Sequence, residues 1–184
     1  MLAANVAASE VRGLVEDEGG KISIAAVNGP LNTVLSGAES SIDRVAHALE
    51  ARGVNCTRLN VSHAFHSALM EPMLAAYEQE LDKTEFGSLR LSLVSNLTGK
   101  SGTTRQMADK HYWLQHIVNP VRFEDSIAAL RQRGCEVFIE VGPHPVLIGM
   151  GQACTDEEDL AWIGSSRRPT QRHRVAPMDT LAQA

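Results

Sequence analysis

The 184-residue chain is 43% hydrophobic and 21% charged, with 14 glycines and 7 prolines, proportions of an ordinary globular protein that exclude disorder and collagen-like repeats. Seventeen bases against 22 acids leave a formal charge of −5 and no basic stripe for a phosphate backbone, which disfavours a nucleic-acid partner. No apolar run reaches the roughly 18–20 residues that cross a bilayer, the N-terminus lacks the basic region of a signal peptide, and Cys56, Cys135 and Cys154 form no CxxC, so the reading is cytoplasmic, without membrane, disulfide framework or zinc.

Met1 to Val6 reads as a strand, and Ala8 to Glu16 as an amphipathic helix with Val11, Leu14 and Val15 on one face, ended by Gly19-Gly20. Lys21 to Val27 and Asn32 to Ser36 are β-rich runs either side of Asn28-Gly29-Pro30, which predicts a hairpin. A helix follows, capped by Ser40 or Ser41, carrying Ile42, Val45, Ala46 and Leu49 and stopped by Gly53. Cys56 to Val61 alternates as a strand. This β-α-β-β-α-β order is ferredoxin-like.

Beyond it, the spacing predicts a helix over Ala68 to Lys83, a short buried-type strand at Leu91 to Ser95, and a helix from His111 to Val118 that ends before Asn119-Pro120. A further helix spans Phe123 to Arg133. Glu136 to Val141 reads as a central strand, turned by Gly142-Pro143-His144-Pro145 into a helix over Val146 to Ala153; a strand at Ala161 to Gly164 and a helix from about Gln171 follow. Strand–helix alternation implies a parallel sheet covered by helices, so the fold class is α/β with a ferredoxin-like insert.

The most informative stretch is Ser62-His63-Ala64-Phe65-His66-Ser67, with two histidines three apart between a strand and a helix N-terminus. An imidazole at such a junction can take a proton from a nucleophile at neutral pH. A single histidine near a helix start is more often a capping or packing residue. A zinc reading of HxxH finds no third ligand at suitable spacing. His144, between two prolines, and Asn28, at a strand end, are candidate pocket residues with plain turn roles as the competing reading, and Asn96, also at a strand end, reads as a turn cap. His116 and Asn119 lie at a helix end, where an unpartnered carbonyl is free to hold an imidazole.

Four segments taken together, Val27-Asn28-Gly29-Pro30 with Val34-Leu35-Ser36-Gly37, Ser62 to Ser67, Asn119-Pro120-Val121-Arg122-Phe123, and Glu140-Val141-Gly142-Pro143-His144-Pro145-Val146-Leu147, resemble the acyltransferase domain of modular type I polyketide synthases. More widely, they are similar to malonyl-CoA:acyl-carrier-protein transacylases. The resemblance implies an α/β-hydrolase-like acyltransferase fold with a ferredoxin-like βαββαβ subdomain. It places that subdomain at 1–61, part of the large subdomain at 62–164 and a linker or helix at 165–184. It implies ping-pong chemistry, in which a serine takes malonyl from malonyl-CoA and passes it to the phosphopantetheine thiol of an acyl carrier protein. No bound cofactor or metal is implied. A neighbouring ketosynthase and its linker would be the other partners.

Residue by residue, the resemblance makes His66 the catalytic base and the main-chain carbonyl of His116 the group that orients it. His63 and Phe65, in the HAFH pattern, would select malonyl over methylmalonyl. The physical reason is that the Phe65 ring takes the room of an α-methyl branch, at a cost of about 1–3 kcal/mol. The family's nucleophile stands in a GHSxG elbow, and neither that motif nor the arginine that pairs with the malonyl carboxylate can be assigned in these residues. The expectation is therefore a C-terminal portion of the domain, inactive alone, with exposed sheet edge and apolar surface. A non-enzymatic ferredoxin-like ligand- or partner-binding module is the alternative, and metal-dependent hydrolysis through His63 and His66 a third reading.

Overall fold

The computed structural model describes residues 1–166; the expected helix from about Gln171 and most of the expected 165–184 tail lie outside them. Strand β1 (Leu2–Ala4), helix α1 (Ala8–Asp17), β2 (Ile22–Gly29), β3 (Asn32–Gly37), α2 (Glu39–Glu50) and β4 (Cys56–Arg58) follow in chain order. These four strands lie in the order β4-β1-β3-β2, every neighbouring pair antiparallel, which is the ferredoxin-like arrangement. Alternation puts Leu2, Ala4, Ile22 and Leu35 on one face of the sheet, and spacings of three and four put Val11, Ile42, Val45, Ala46 and Leu49 of the helices against it. Burying each large aliphatic side chain contributes about 1.5–3 kcal/mol. Ala25, Ala26 and Val34 form a smaller cluster of buried residues.

Two local expectations change here. Helix α2 starts without a serine cap: Ala38 is the N-cap and makes no side-chain hydrogen bond. Ser41 instead lies buried in the first turn, accepting from Arg44 Nη2 at 2.9 Å. The β2–β3 turn is Pro30-Leu31, because β2 continues through Gly29, which pairs with Asn32 after a shift in register beyond Val27.

The remaining elements are a 3₁₀ turn over Ala68–Met73, α3 (Leu74–Leu81), β5 (Val94–Ser95), β6 (Lys100–Ser101), α4 (Thr104–Met107), α5 (Lys110–Val118), β7 (Val121–Arg122), α6 (Phe123–Gln132), β8 (Val137–Glu140), α7 (Leu147–Gln152) and β9 (Ala161–Gly164). The single helix expected over 68–83 divides because Pro72 lies inside its first part; lacking an N–H and crowding the preceding turn, proline favours the tighter winding before the α-helix begins. The expected strand at 91–95 shrinks to β5, which among the described residues pairs only with β6, and leaves Leu91 84% exposed.

β7 was not foreseen. It adds to the far edge of the ferredoxin-like sheet, parallel to β2, pairing Ala26 with Val121 and Val27 with Arg122. β8, expected to be central, pairs with β9 in parallel and with no other strand among the described residues. Phe138, on its inner face, stacks on Trp162 at 4.3 Å between ring centroids, while Val137, Ile139 and Val141 are 57%, 56% and 86% exposed. Among the described residues no helix is long and apolar enough to cross a membrane.

Candidate active site

His66 sits in the turn between β4 and the 3₁₀ segment, and among the described residues it is the one non-glycine residue with positive φ, at 61°. Left-handed backbone costs most side chains about 1–3 kcal/mol and persists where the surroundings enforce it. Three contacts do so. The His66 N–H donates to the Ile117 carbonyl at 2.9 Å, its ring Nδ1–H donates to the Asn119 carbonyl at 2.9 Å, and the next side chain, buried Ser67, donates from Oγ to the Ala64 carbonyl at 2.6 Å. The turn is thus clamped on both sides of the imidazole.

The acceptor carbonyl is that of Asn119 rather than His116, which corrects the expected orienting group. The reason lies in how α5 ends. Asp109 caps its start by accepting from the His111 N–H at 2.9 Å, and Lys110 ties that end to Glu78 and Asp82 of α3's neighbourhood at 3.0 and 2.6 Å. At the other end Pro120 pushes the preceding residue out of helical conformation, so Asn119 is extended, at φ −97° and ψ 159°. Its side chain turns back to donate to the Gln115 carbonyl at 2.8 Å, and its own carbonyl, clear of the helix, takes the imidazole. His116 contributes its ring: it meets His66 edge-on, centroids 5.9 Å apart, and stacks on Tyr112, whose hydroxyl hydrogen-bonds Ser95 at 2.7 Å.

With Nδ1–H spent on a carbonyl, the half-buried ring keeps a free lone pair on Nε2. This is the tautomer a general base needs. The adjacent Ser67 is no nucleophile for it, since its hydroxyl is buried and already committed to Ala64. Burial, and next repulsion from His66 when that ring is protonated, press the His116 imidazole below its usual range. An unfolded chain would bind the extra proton, so this stabilising contribution is complete above about pH 6.5 and is lost as the pH falls below it. In His116→Gln the loss of stability between pH 6.5 and 5 becomes smaller than in the parent, as read by urea midpoints; parallel curves would contradict the burial argument.

The other predicted residues divide. Phe65 is 40% exposed and meets the His63 ring edge-on at 6.0 Å; His63 in turn borders a cleft of about 580 Å³ with Asp43, Arg58, Leu59 and Val61. Asn28 gives its carbonyl to the Cys154 thiol at 3.3 Å, whose pKa burial first, and then Glu124, push up to about 11; it ties β2 to α7. His144 stands exposed in its proline turn. In the same segment Glu140, which the sequence did not single out, caps α7 from six residues upstream, accepting the N–H groups of Val146 and Ile148 at 2.9 Å each. Burial works to raise its pKa, and these backbone bonds outweigh it and lower it. Among the described residues no three His, Cys, Asp or Glu converge as a metal cluster would require.

The family model described as "Acyl transferase domain" matches residues 1–182. The chain is 43% identical over 161 residues to the spectinabilin polyketide synthase system protein NorB of Streptomyces orinoci, covering 88% of this chain and 7% of that protein. In structure it is similar to the acyltransferase domain from the second module of the salinomycin polyketide synthase, with TM-score 0.90, 36% identity, and coverage of 100% of this chain and 42% of that one. It is equally similar, at TM-score 0.90 and 31% identity, to the acyl transferase domain of SpnD in complex with 2-(pent-4-yn-1-yl)malonyl, covering 100% of this chain and 44% of that one. The chain therefore spans less than half the length of both solved domains.

Proposed function

Because the chain belongs to the acyl transferase domain family, we propose that it supplies the general base for moving a malonyl unit from coenzyme A to an acyl carrier protein within a polyketide synthase. The observation that carries this reading is the 2.9 Å bond from His66 Nδ1 to the Asn119 carbonyl, which leaves Nε2 basic. The 184 residues hold no Gly-His-Ser-x-Gly, so the serine that His66 serves belongs to a segment outside them. His66 takes the serine proton as the serine oxygen attacks the malonyl thioester carbonyl. The tetrahedral intermediate then collapses, the C–S bond breaks, and the proton passes to the departing coenzyme A thiolate. In the second half His66 deprotonates the phosphopantetheine thiol, which attacks the ester, and the proton returns to the serine oxygen.

The apolar outer face of β8, with Val137, Ile139 and Val141, together with Val146 and Leu147 after it, supports completion by a further segment. Supplying a segment with the Gly-His-Ser-x-Gly elbow, by fusion or in trans, should make the protein retain radiolabel from malonyl-CoA. Absence of label, where an intact parent domain of the same synthase is labelled, would refute the assignment.

Selectivity rests on Phe65, exposed beside His63. Replacing it by alanine in the completed domain opens space for an α-methyl branch and should raise methylmalonyl use relative to malonyl by about ten- to two-hundred-fold in kcat/KM. An unchanged ratio would remove Phe65 from the selecting role while leaving that of His66 intact.

A further inference from the structure

A second cavity, of about 490 Å³, lies between the β5–β6 hairpin and α6 and takes no part in the chemistry above. Its walls carry Lys100 and Ser101 on the hairpin side and Arg122, Asp125 and Arg133 on the other. The hairpin backbone lies close against the helix: Gly99 is buried, at φ 64°, and a side chain there would overlap Asp125.

The charges do not cancel. Asp125 is paired with Arg122 at 2.6 Å. Among the described residues Arg133 is held only by neutral groups, donating to Ser101 Oγ at 2.5 Å and Ser92 Oγ at 3.0 Å. Neither Arg133 nor Lys100 has a carboxylate within ion-pair distance among the described residues. Two cations thus remain uncompensated around one hollow, in a chain whose net charge is −5. The Ser101 hydroxyl accepts from the guanidinium and keeps its own proton to donate. Arg133 uses two of its five N–H groups on serines and retains the rest. Guanidinium, ammonium and hydroxyl donors around a common space suit a tetrahedral oxyanion.

We propose that this cavity binds a phosphate group, held by Lys100, Arg133 and the Ser101 hydroxyl. Two sources present that chemistry to an acyltransferase: the nucleotide end of coenzyme A, and the single phosphodiester of a phosphopantetheine arm. The site binds phosphate whether or not acyl transfer is the function. Its wall continues directly into the catalytic segment, since Arg122 lies three residues after Asn119 and its N–H donates to the Asn96 carbonyl at 2.7 Å.

The test is an amide NMR titration of the 184-residue chain with inorganic phosphate, coenzyme A, 4′-phosphopantetheine and phosphate-free pantetheine. The amides of Gly99, Lys100 and Ser101 should shift saturably with the three phosphate-bearing probes and stay still with pantetheine. Arg133→Gln and, separately, Lys100→Gln should each weaken phosphate binding about tenfold or more. Lys100 is exposed and its side chain makes no ion pair among the described residues, so that variant reads binding even where the arginine variant misfolds. Tighter binding of coenzyme A than of 4′-phosphopantetheine supports the nucleotide source, and equal binding the single ester. No saturable shift, an equal shift with pantetheine, or full affinity in Lys100→Gln would overturn the proposal.

Discussion

His66→Ala, introduced into the domain completed with its serine-bearing segment, should lower kcat for malonyl transfer about 10²–10⁴-fold, the range that positioned acid–base catalysis contributes. The argument is one of proton bookkeeping. The backbone N–H of residue 66 still donates to Ile117, so the turn keeps that anchor, while the bond to the Asn119 carbonyl and the Nε2 lone pair both vanish. Alanine also accepts the positive φ of 61° less readily than histidine does, so His66→Asn is the better-matched companion: asparagine tolerates left-handed backbone but is not a base. Both variants should lose the burst of acyl-enzyme formation measured by rapid quench, with little change in substrate binding. An asparagine variant that kept a kcat within a few-fold of the parent would show that the imidazole is not the base.

Gly37→Ala should be the most damaging single change to the fold, costing about 3 kcal/mol or more of a typical 5–15 kcal/mol. Gly37 closes the β2–β3 pair opposite Ile22, which is itself 2% exposed. Its φ is 158°, and a methyl there would overlap the Lys21 carbonyl and the Ile22 main chain. Those are backbone atoms of a paired strand, which cannot swing aside as a side-chain tip can. The same Lys21 carbonyl accepts the Ala38 N–H at 2.9 Å, the bond that leads into α2, so displacement would propagate to the helix whose Ile42 and Leu49 fill the core. Urea unfolding followed by circular dichroism measures the loss. A midpoint within the error of the parent would mean that the strand end yields cheaply.

The parts of this architecture that the residues announced are those with a repeat. Ile42, Val45, Ala46 and Leu49 keep helical spacing, and all four are buried, so α2 was legible; the same holds for the β-α-β-β-α-β order, because alternation and helical periodicity change cleanly at Gly19-Gly20 and Gly53. β7 has no such signal: it is two residues long, and a pairing partner ninety-five residues earlier, at Ala26, leaves no trace in local pattern. The start of α2 was misplaced because a serine cap was expected where Ala38 provides only extended backbone. At the candidate site, the spacing of His63 and His66 drew attention to the loop that holds His66 at positive φ. Its decisive features, a left-handed histidine and an acceptor at Asn119, are backbone properties set by Pro120 and by distant carbonyls. The helix end was correctly marked as a source of free carbonyls; which carbonyl turns outward depends on the exit angle of the chain.

The order β4-β1-β3-β2-β7 has one more implication. The chain reaches His66 shortly after leaving β4 at one margin of the sheet, and Asn119 immediately before entering β7 at the other. The donor and the acceptor of a single 2.9 Å bond therefore descend from opposite rims of the same five-stranded surface, about 19 Å apart at the usual strand spacing. The sheet acts as a caliper. A substitution deep under the α1–α2 layer that altered the twist of this sheet should therefore register at the His66–Asn119 bond.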